Sequence, residues 1–521
     1  MIRSRSARRS IPALLLTVFL TACGGSSSTP AVDATQVQAR LDEFVTAITK
    51  PTPGSDVVAT ADGKAKVETQ SDGTVVGTLP RLTVKGSEGN SAVLDPITVK
   101  FSNAGEGLVN VEAVLPSAMQ VKNKDGKVEG EVKIGSQTLK GVWTEKLQTI
   151  DKLDMRLANI TIVSPGEPGT GKIDQIAMSG GFDPKGGGLY DGKYQGAITG
   201  FTVDDPKEKT TMKIGSIGFV ANMTGTKMED FARAAKEAGY TLANPNIFKA
   251  WTGGPIDPKM LAFMKRMPEF MGSVDYTYNL SDIEMTKDGK REFALENSSF
   301  GFGAAPDGAG TTKVKMAFGL GGMAGSPDEP FLPPEADVDD ASMEMEASGV
   351  PGQKLWDIYM DALPQLQAEA AKAASETASG GKDATSAGTE ALEQVGAELS
   401  GKFMEVLTAA KLQIALNKIN LSTPTAKMVG KGTAAYLPAE SWFPDGKVTF
   451  RFTGMDKLAA AMQKRGAKDE MAQQIMGYIS AIRAMGKPDP ASPKDDRAYL
   501  IDLQFTKDGK VLANGQDMMP Q

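Results

Sequence analysis

Histidine is absent from the 521 residues, and cysteine occurs once, at Cys23. That pair of counts removes Ser-His-Asp and Cys-His nucleophilic sites, histidine general bases and the usual zinc ligand sets. Catalysis on this chain would have to run on Asp, Glu, Lys, Ser or Tyr. The 64 acidic residues guarantee many chance carboxylate pairs, and no spacing among them singles out a general acid and its base. The chain is expected to be non-catalytic, with an Asp/Glu-based hydrolase kept as the remote alternative. No cofactor and no metal are expected.

Three stretches have spacings that could bind something. Gly166-Glu167-Pro168-Gly169-Thr170-Gly171-Lys172 follows the strand-like run Ile160 to Val163 in the manner of a phosphate-cradling loop. Ile173 stands where a hydroxyl should hold Mg²⁺, and the alternation Ile173, Gln175, Ala177 denies the loop the helix that phosphate binding requires, so it reads as a Gly/Pro loop. Glu335, Asp337, Asp339, Asp340, Glu344 and Glu346 are spaced like calcium-loop ligands, but Asp340 occupies the position where the turn needs glycine. A solvated acidic segment is the simpler reading. Met260, Phe263, Met264 and Met267 share one helical face, with Met271 beyond Pro268. Such a face packs a core, lines an apolar-ligand groove through flexible thioethers, or supplies soft ligands to Cu(I). These four residues are the candidate apolar-ligand face.

Stepping from side chains to the elements that hold them, the pattern is mostly period two. Asp33 heads a helix whose apolar residues Val37, Leu41, Phe44, Val45 and Ile48 recur at helical spacing, ending at Pro51 to Gly54. From Asp56 to about Val203 short alternating runs follow, as at Leu82 and Val84, at Ile97, Val99 and Phe101, and at Val128, Val132 and Ile134. The triplet Asp-Gly-Lys begins at Asp62, Asp125, Asp191, Asp288, Asp445 and Asp508, and Asp-Gly accepts the positive φ of tight hairpins. Helices are expected over Met228 to Ala238, Pro258 to Met267, Lys354 to Leu363 and Leu392 to Leu407. Strands are expected over Val274 to Met285, Arg291 to Phe300 and Val314 to Leu320. Leu412, Ile414 and Leu416 shift phase to Ile419 and Leu421, which predicts a β-bulge.

The expected fold is α+β and β-dominated: curved antiparallel sheets, a meander with many Asp-Gly hairpins and packed helices, in two related halves. The suggestion of relatedness rests on a shared order of strand, helices, strand and Thr-Lys-Asp-Gly-Lys, at 217–290 and again at 448–510. The expected organisation is a signal peptide at 1–22, a lipidated cysteine and tether at 23–33, a β-rich half with a helical insert at 34–326, an acidic Pro-rich linker at 327–340, and an α+β half at 341–521 with a mobile segment at 373–388.

Arg3, Arg5, Arg8 and Arg9 precede the apolar run Ile11 to Leu20, which is too short to cross a bilayer. It ends in Leu20-Thr21-Ala22-Cys23, which resembles the bacterial lipobox. The resemblance implies cleavage before Cys23, acylation of that thiol and anchorage in the cell envelope. Gly24, in place of Asp, favours the periplasmic face of the outer membrane over the inner membrane. Loss of the four leader arginines takes the formal charge from −7 to −11, which disfavours nucleic acid as a partner.

The C-terminal run GKVTFRFTGMDKLAAAMQKRG, followed by AYLIDLQFTKDGKVLANG, resembles the end of a bacterial DUF family of exported β-rich proteins, YdgA-like and more distantly AsmA-like. The resemblance covers about Gly446 to Gly515 and implies long curved antiparallel sheets and, for the AsmA-like members, a hydrophobic groove and lipid handling. It carries no catalytic residue. The expected function is a lipid-anchored envelope protein that binds lipid or another apolar ligand; the alternative is a structural adaptor that binds another envelope protein.

Overall fold

The computed structural model describes residues 32–49, 58–86, 89–164, 169–239, 257–308, 310–326, 332–378, 384–410, 412–435, 445–466, 468–493, 497–506 and 508–518. The expected signal peptide, the Leu20 to Cys23 motif and residues 24–31 of the expected tether lie outside them, as does the start of the Gly166 loop. The chain is β-dominated, with large open antiparallel sheet and some helices. Contacts divide it into two units: Met1–Lys207 with Val220–Gly272 and Tyr359–Glu398, and Glu208–Phe219 with Ser273–Ile358 and Leu399–Gln521.

The first unit begins with helix α1 (Ala34–Thr49), capped by Asp33, whose Oδ1 accepts the Thr35 amide at 2.8 Å. Its Val37, Leu41, Phe44 and Val45 are buried among short strands β1 (Val58–Ala61), β2 (Lys66–Thr69), β3 (Val75–Leu79), β4 (Leu82–Lys85), β5 (Ser91–Leu94), β6 (Ile97–Gly105), β7 (Leu108–Val114) and β8 (Ala118–Lys122). Gly77 lets the helix approach, since a Cβ there would meet Leu41 Cδ1 at 2.4 Å. Strand β9 (Val128–Thr144) is the branch point. One edge pairs along β10 (Thr149–Val163), while the other pairs with β8 through its first half and β7 through its second. The runs β7–β6–β3–β2 and β8–β5–β4–β1 therefore diverge from one strand and enclose the core of Phe44, Phe101, Leu79, Leu94, Leu139 and Leu157.

Two long strands follow, β11 (Thr170–Gly186) and β12 (Leu189–Asp205). Their turn is Gly186-Gly187-Gly188, all at positive φ. The Asp191-Gly192 pair, expected in a turn, lies inside β12. Here Phe182 and Met223 occupy the space a Cβ on Gly192 would need, and Asp191 accepts the Gly225 amide. Asp445-Gly446 likewise opens a strand, with Gly446 against Ala434. Only Gly63, Gly126, Gly289 and Gly509 of the six pairs take a positive φ. Strand β13 (Thr210–Thr226) leads to α2 (Met228–Glu237), α3 (Pro258–Lys265) and α4 (Met267–Phe270). Pro268 starts α4 rather than halting α3: proline suits the first helical turn, and α3 has already ended at Arg266.

The second unit is a sheet of successive antiparallel neighbours: β14 (Ser273–Lys287), β15 (Lys290–Pro306), β16 (Thr312–Gly325), β17 (Val338–Val350), β18 (Gln413–Ser422), β19 (Lys427–Ala435) and β20 (Asp445–Thr453). Helices α5 (Gly352–Ala378) and α6 (Ala384–Ala409) intervene between the paired strands β17 and β18. Most of the Ala/Ser/Gly segment expected to be mobile is therefore helical, as alanine favours; 379–383 lie outside the described residues. The segment expected as a linker at 327–340 joins strands that pair directly. Its last residues, Val338 to Asp340, are already strand, so 273–326 groups with the C-terminal strands. Helices α7 (Met455–Arg465) and α8 (Glu470–Met485) then pack through Met462, Ala472 and Ile479 over Phe452 and Tyr499. The chain closes with β21 (Lys487–Pro488), β22 (Tyr499–Phe505), β23 (Val511–Ala513) and β24 (Gln516–Asp517), of which β22 pairs with β20.

A local device recurs in both units. Asn159 in β10 and Asp282 in β14 take φ of 53°, and Gly200 in β12 and Gly322 in β16 take φ of 64° and 61°. In the first unit Gly135 faces Asn159 and Gly200 faces Asp174; in the second Gly215 faces Asp282 and Gly322 faces Glu296. The flanking sequences match: Lys-Ile-Gly-Ser at both 133–136 and 213–216, and Leu-Ala-Asn-Ile at 157–160 beside Leu-Ser-Asp-Ile at 280–283. A left-handed residue inside a strand shifts the side-chain alternation by one, so that Leu280 and Ile283 stay on one face.

Candidate apolar-ligand surface

In β14 the residues on one face are Val274, Tyr276, Tyr278 and Leu280, while Asp275, Thr277, Asn279 and Ser281 take the other. This alternation is carried across the sheet by register. Tyr278 is opposite Phe300, Phe300 opposite Phe318, Phe318 opposite Met343, and Met343 opposite Ile419. The neighbouring row runs Tyr276, Phe302, Met316, Met345 and Leu416 by the same pairings. The bulge at Asn417 absorbs the extra residue of β18, as the shift of pattern from Leu416 to Ile419 predicts, so both apolar side chains stay in these rows.

These side chains are not a closed core. Tyr278 is 52% exposed, Phe300 46%, Phe318 44% and Met316 42%. Five strands about 4.8 Å apart and six residues of about 3.3 Å rise give roughly 400 Å² of sheet without a charge. A patch on that scale matches the largest apolar patch of an ordinary monomer, and such patches are often functional. Helices α7 and α8 cover only the far side of this face, at Phe452 and Tyr499.

The opposite face has different chemistry. A shallow depression of about 300 Å³ is lined by Asp275, Gly303, Lys315, Glu344 and Glu346 among others. Lys313 Nζ lies 3.0 Å from Glu346 Oε1, and this hydrogen bond holds the ammonium above its ordinary pKa. The acids expected to resemble a calcium loop are here: Asp339, Asp340, Glu344 and Glu346 stand along extended β17, and a strand cannot wrap its carboxylates round one ion. Among the described residues no group of three or more acids is placed to hold a metal.

The helical face singled out by sequence has another role in the structure. Met260 and Phe263 are buried, and Met264 and Met267 are half-buried. Phe263 and Phe270 close on Phe231 of α2, with ring centroids 5.4 and 6.0 Å from Phe231, and Met267 packs on the same cluster. The contacts of Phe231 with the two rings add to area burial.

Helix α2 is tied down at its first turn by a polar cluster. Tyr190 donates to Glu229 Oε1 at 2.9 Å, and Lys146 Nζ lies 2.8 Å from the same oxygen. The Lys146 hydrogen bond holds the Glu229 carboxyl below its ordinary range, and burial raises the Tyr190 phenol. Met228, Phe182 and Leu147 fill the space beneath. The three groups satisfy one another.

No family model, curated protein or solved structure matches the chain. The sheet surface must therefore be read from its own chemistry. The exposed rows went unnoticed in sequence because alternation at half-buried strands is the ordinary pattern of a packed sheet. The available signal was the size of the side chains: Tyr276, Tyr278, Phe300, Phe302, Met316, Phe318, Met343 and Met345 all fall at alternate positions of four successive strands.

Proposed function

We propose that this chain is a non-catalytic, lipid-anchored cell-envelope protein that holds a lipid or another apolar ligand against the open face of the β14–β18 sheet. One observation carries the reading: two adjoining rows of aromatic, methionine and branched side chains, in register over five strands and exposed at their centre. Each methylene removed from water there contributes roughly 0.8 kcal/mol, so an acyl chain laid across the rows binds without any polar recognition. The resemblance of 446–515 to YdgA-like and AsmA-like envelope proteins points the same way. So does the leader ending at Leu20-Thr21-Ala22-Cys23, which supports acylation of Cys23 and a place at the periplasmic face of the outer membrane. No described helix is long and apolar enough to cross a membrane.

The test is native mass spectrometry of the full-length chain extracted in mild detergent, with lipid analysis of the dissociated ligand. Stoichiometric lipid beyond the Cys23 acyl groups, lost in Phe300→Ser/Phe318→Ser, is the expected result. A ligand-free mass in both proteins would overturn the reading. The adaptor reading draws on the same rows, because Tyr, Phe and Met are enriched at protein interfaces. It predicts that crosslinking through these positions in cells recovers one envelope protein and no lipid.

A further inference from the structure

Methionine is unusually frequent on the open face. The chain has 26 methionines. Met316 and Met345 are direct cross-strand partners, and Met343, two residues before Met345 on the same face, is opposite Phe318. Met316 is 42% exposed, whereas Met119, Met360 and Met462 are 3%, 0% and 0% exposed in closed cores. A thioether is the one apolar side chain that a mild oxidant converts into a strongly polar one. The cluster sits in the middle of the two rows, with Tyr276, Phe302 and Leu416 in line with Met316 and Met345.

We propose that Met316, Met343 and Met345 form an oxidation-sensitive modification site that switches off apolar-ligand binding by this face. The oxidant is a hydroperoxide. The thioether sulfur attacks the outer peroxide oxygen, the O–O bond breaks, an S=O bond forms, and the departing oxygen takes a proton to leave as water or an alcohol. The sulfur loses two electrons and the peroxide gains them. The product is a sulfoxide, a strong hydrogen-bond acceptor in rows whose other polar side-chain atoms are the Tyr276 and Tyr278 hydroxyls of β14. Its desolvation opposes the ligand, and reduction by the two epimer-specific sulfoxide reductases restores the thioether. The charged residues flanking the cluster along β16 and β17, Lys313, Lys315, Glu344 and Glu346, take the other face by alternation, so they do not satisfy the new oxygens.

This inference rests on the apolar-ligand reading, and one experiment separates the two. The full chain in mild detergent is titrated with a fluorescent palmitate analogue before and after limited hydrogen peroxide. Peptide mass mapping of the sulfoxides accompanies each titration. The comparison protein carries Met316→Leu, Met343→Leu and Met345→Leu, changes close in volume that cores and faces tolerate well. The expected result is a fall of about tenfold or more in affinity of the wild-type chain, recovered by the reductases, while the affinity of the triple variant, whatever its starting value, is the same before and after peroxide. Unchanged affinity of a wild-type chain mapped as oxidised at these three positions overturns the proposal. So does a map in which exposed Met212 and Met404 are oxidised while Met316 is spared. If neither protein takes up the probe before peroxide, the apolar-ligand reading fails and this inference falls with it.

Discussion

Tyr278, Phe300 and Phe318 stand in one cross-strand row, and roughly half of each is exposed. Exposed side chains of this kind contribute little to folding, since substitutions away from packed features stay within about 0.5 kcal/mol. Phe300→Ser/Phe318→Ser is therefore expected to leave the urea midpoint close to wild type while lowering bound apolar ligand, a dissociation that equilibrium unfolding beside the lipid assay reads directly. Gly200 presents the opposite case. Its φ is 64°, and a Cβ would sit 2.0 Å from Asp174 Oδ2. Gly200→Ala combines a disfavoured backbone with a steric overlap at an acid, and a loss of about 1–3 kcal/mol in unfolding free energy is expected. A variant as stable as wild type would show that the strand relaxes around the added methyl. None of these roles follows from residue type alone: a glycine in a strand and an aromatic at an alternate position are both ordinary until the register is known.

Helix α2 is held at its first turn by Glu229, which accepts from Tyr190 and pairs with Lys146. The Lys146 hydrogen bond depresses the Glu229 pKa, so the folded state holds its proton less tightly than the unfolded chain does. The stabilisation is fully present above the ordinary carboxylate range and fades as pH falls through the depressed folded value. Glu229→Gln is expected to lower the urea midpoint at pH 7 and to match wild type in strong acid, a convergence that unfolding curves across this range will test. The sequence marked Met228 to Ala238 as helical, and the helix runs Met228–Glu237, because its apolar spacing and following glycine are local signals. The partners of Glu229 lie 39 and 83 positions away, beyond the reach of any periodicity. The β18 bulge was legible for the same local reason as the helix. By contrast, Asp191-Gly192 and Asp445-Gly446 look like turns and lie in strands, where neighbouring side chains and backbone decided the need for glycine.

For the molecule as a whole, the proposed anchorage and the proposed ligand binding can be tested separately. Full-length chain grown with labelled palmitate is expected to carry label, and Cys23→Ser to carry none and leave the membrane fraction. Retention of label in that variant would place the acyl group elsewhere. The sequence by itself determined a chain without histidine chemistry, with one thiol behind a short apolar run, and with a mainly period-two body. Those are matters of composition and near-neighbour spacing, which need no contact between distant residues. Only the tertiary structure decided that Phe263 of α3 packs on Phe231 and that the Pro-rich segment joins paired strands. It also decided that the alternate aromatics of β14, β15 and β16 align into one exposed surface. Alternation fixes which residues share a face, but what covers that face depends on packing between elements far apart in the chain.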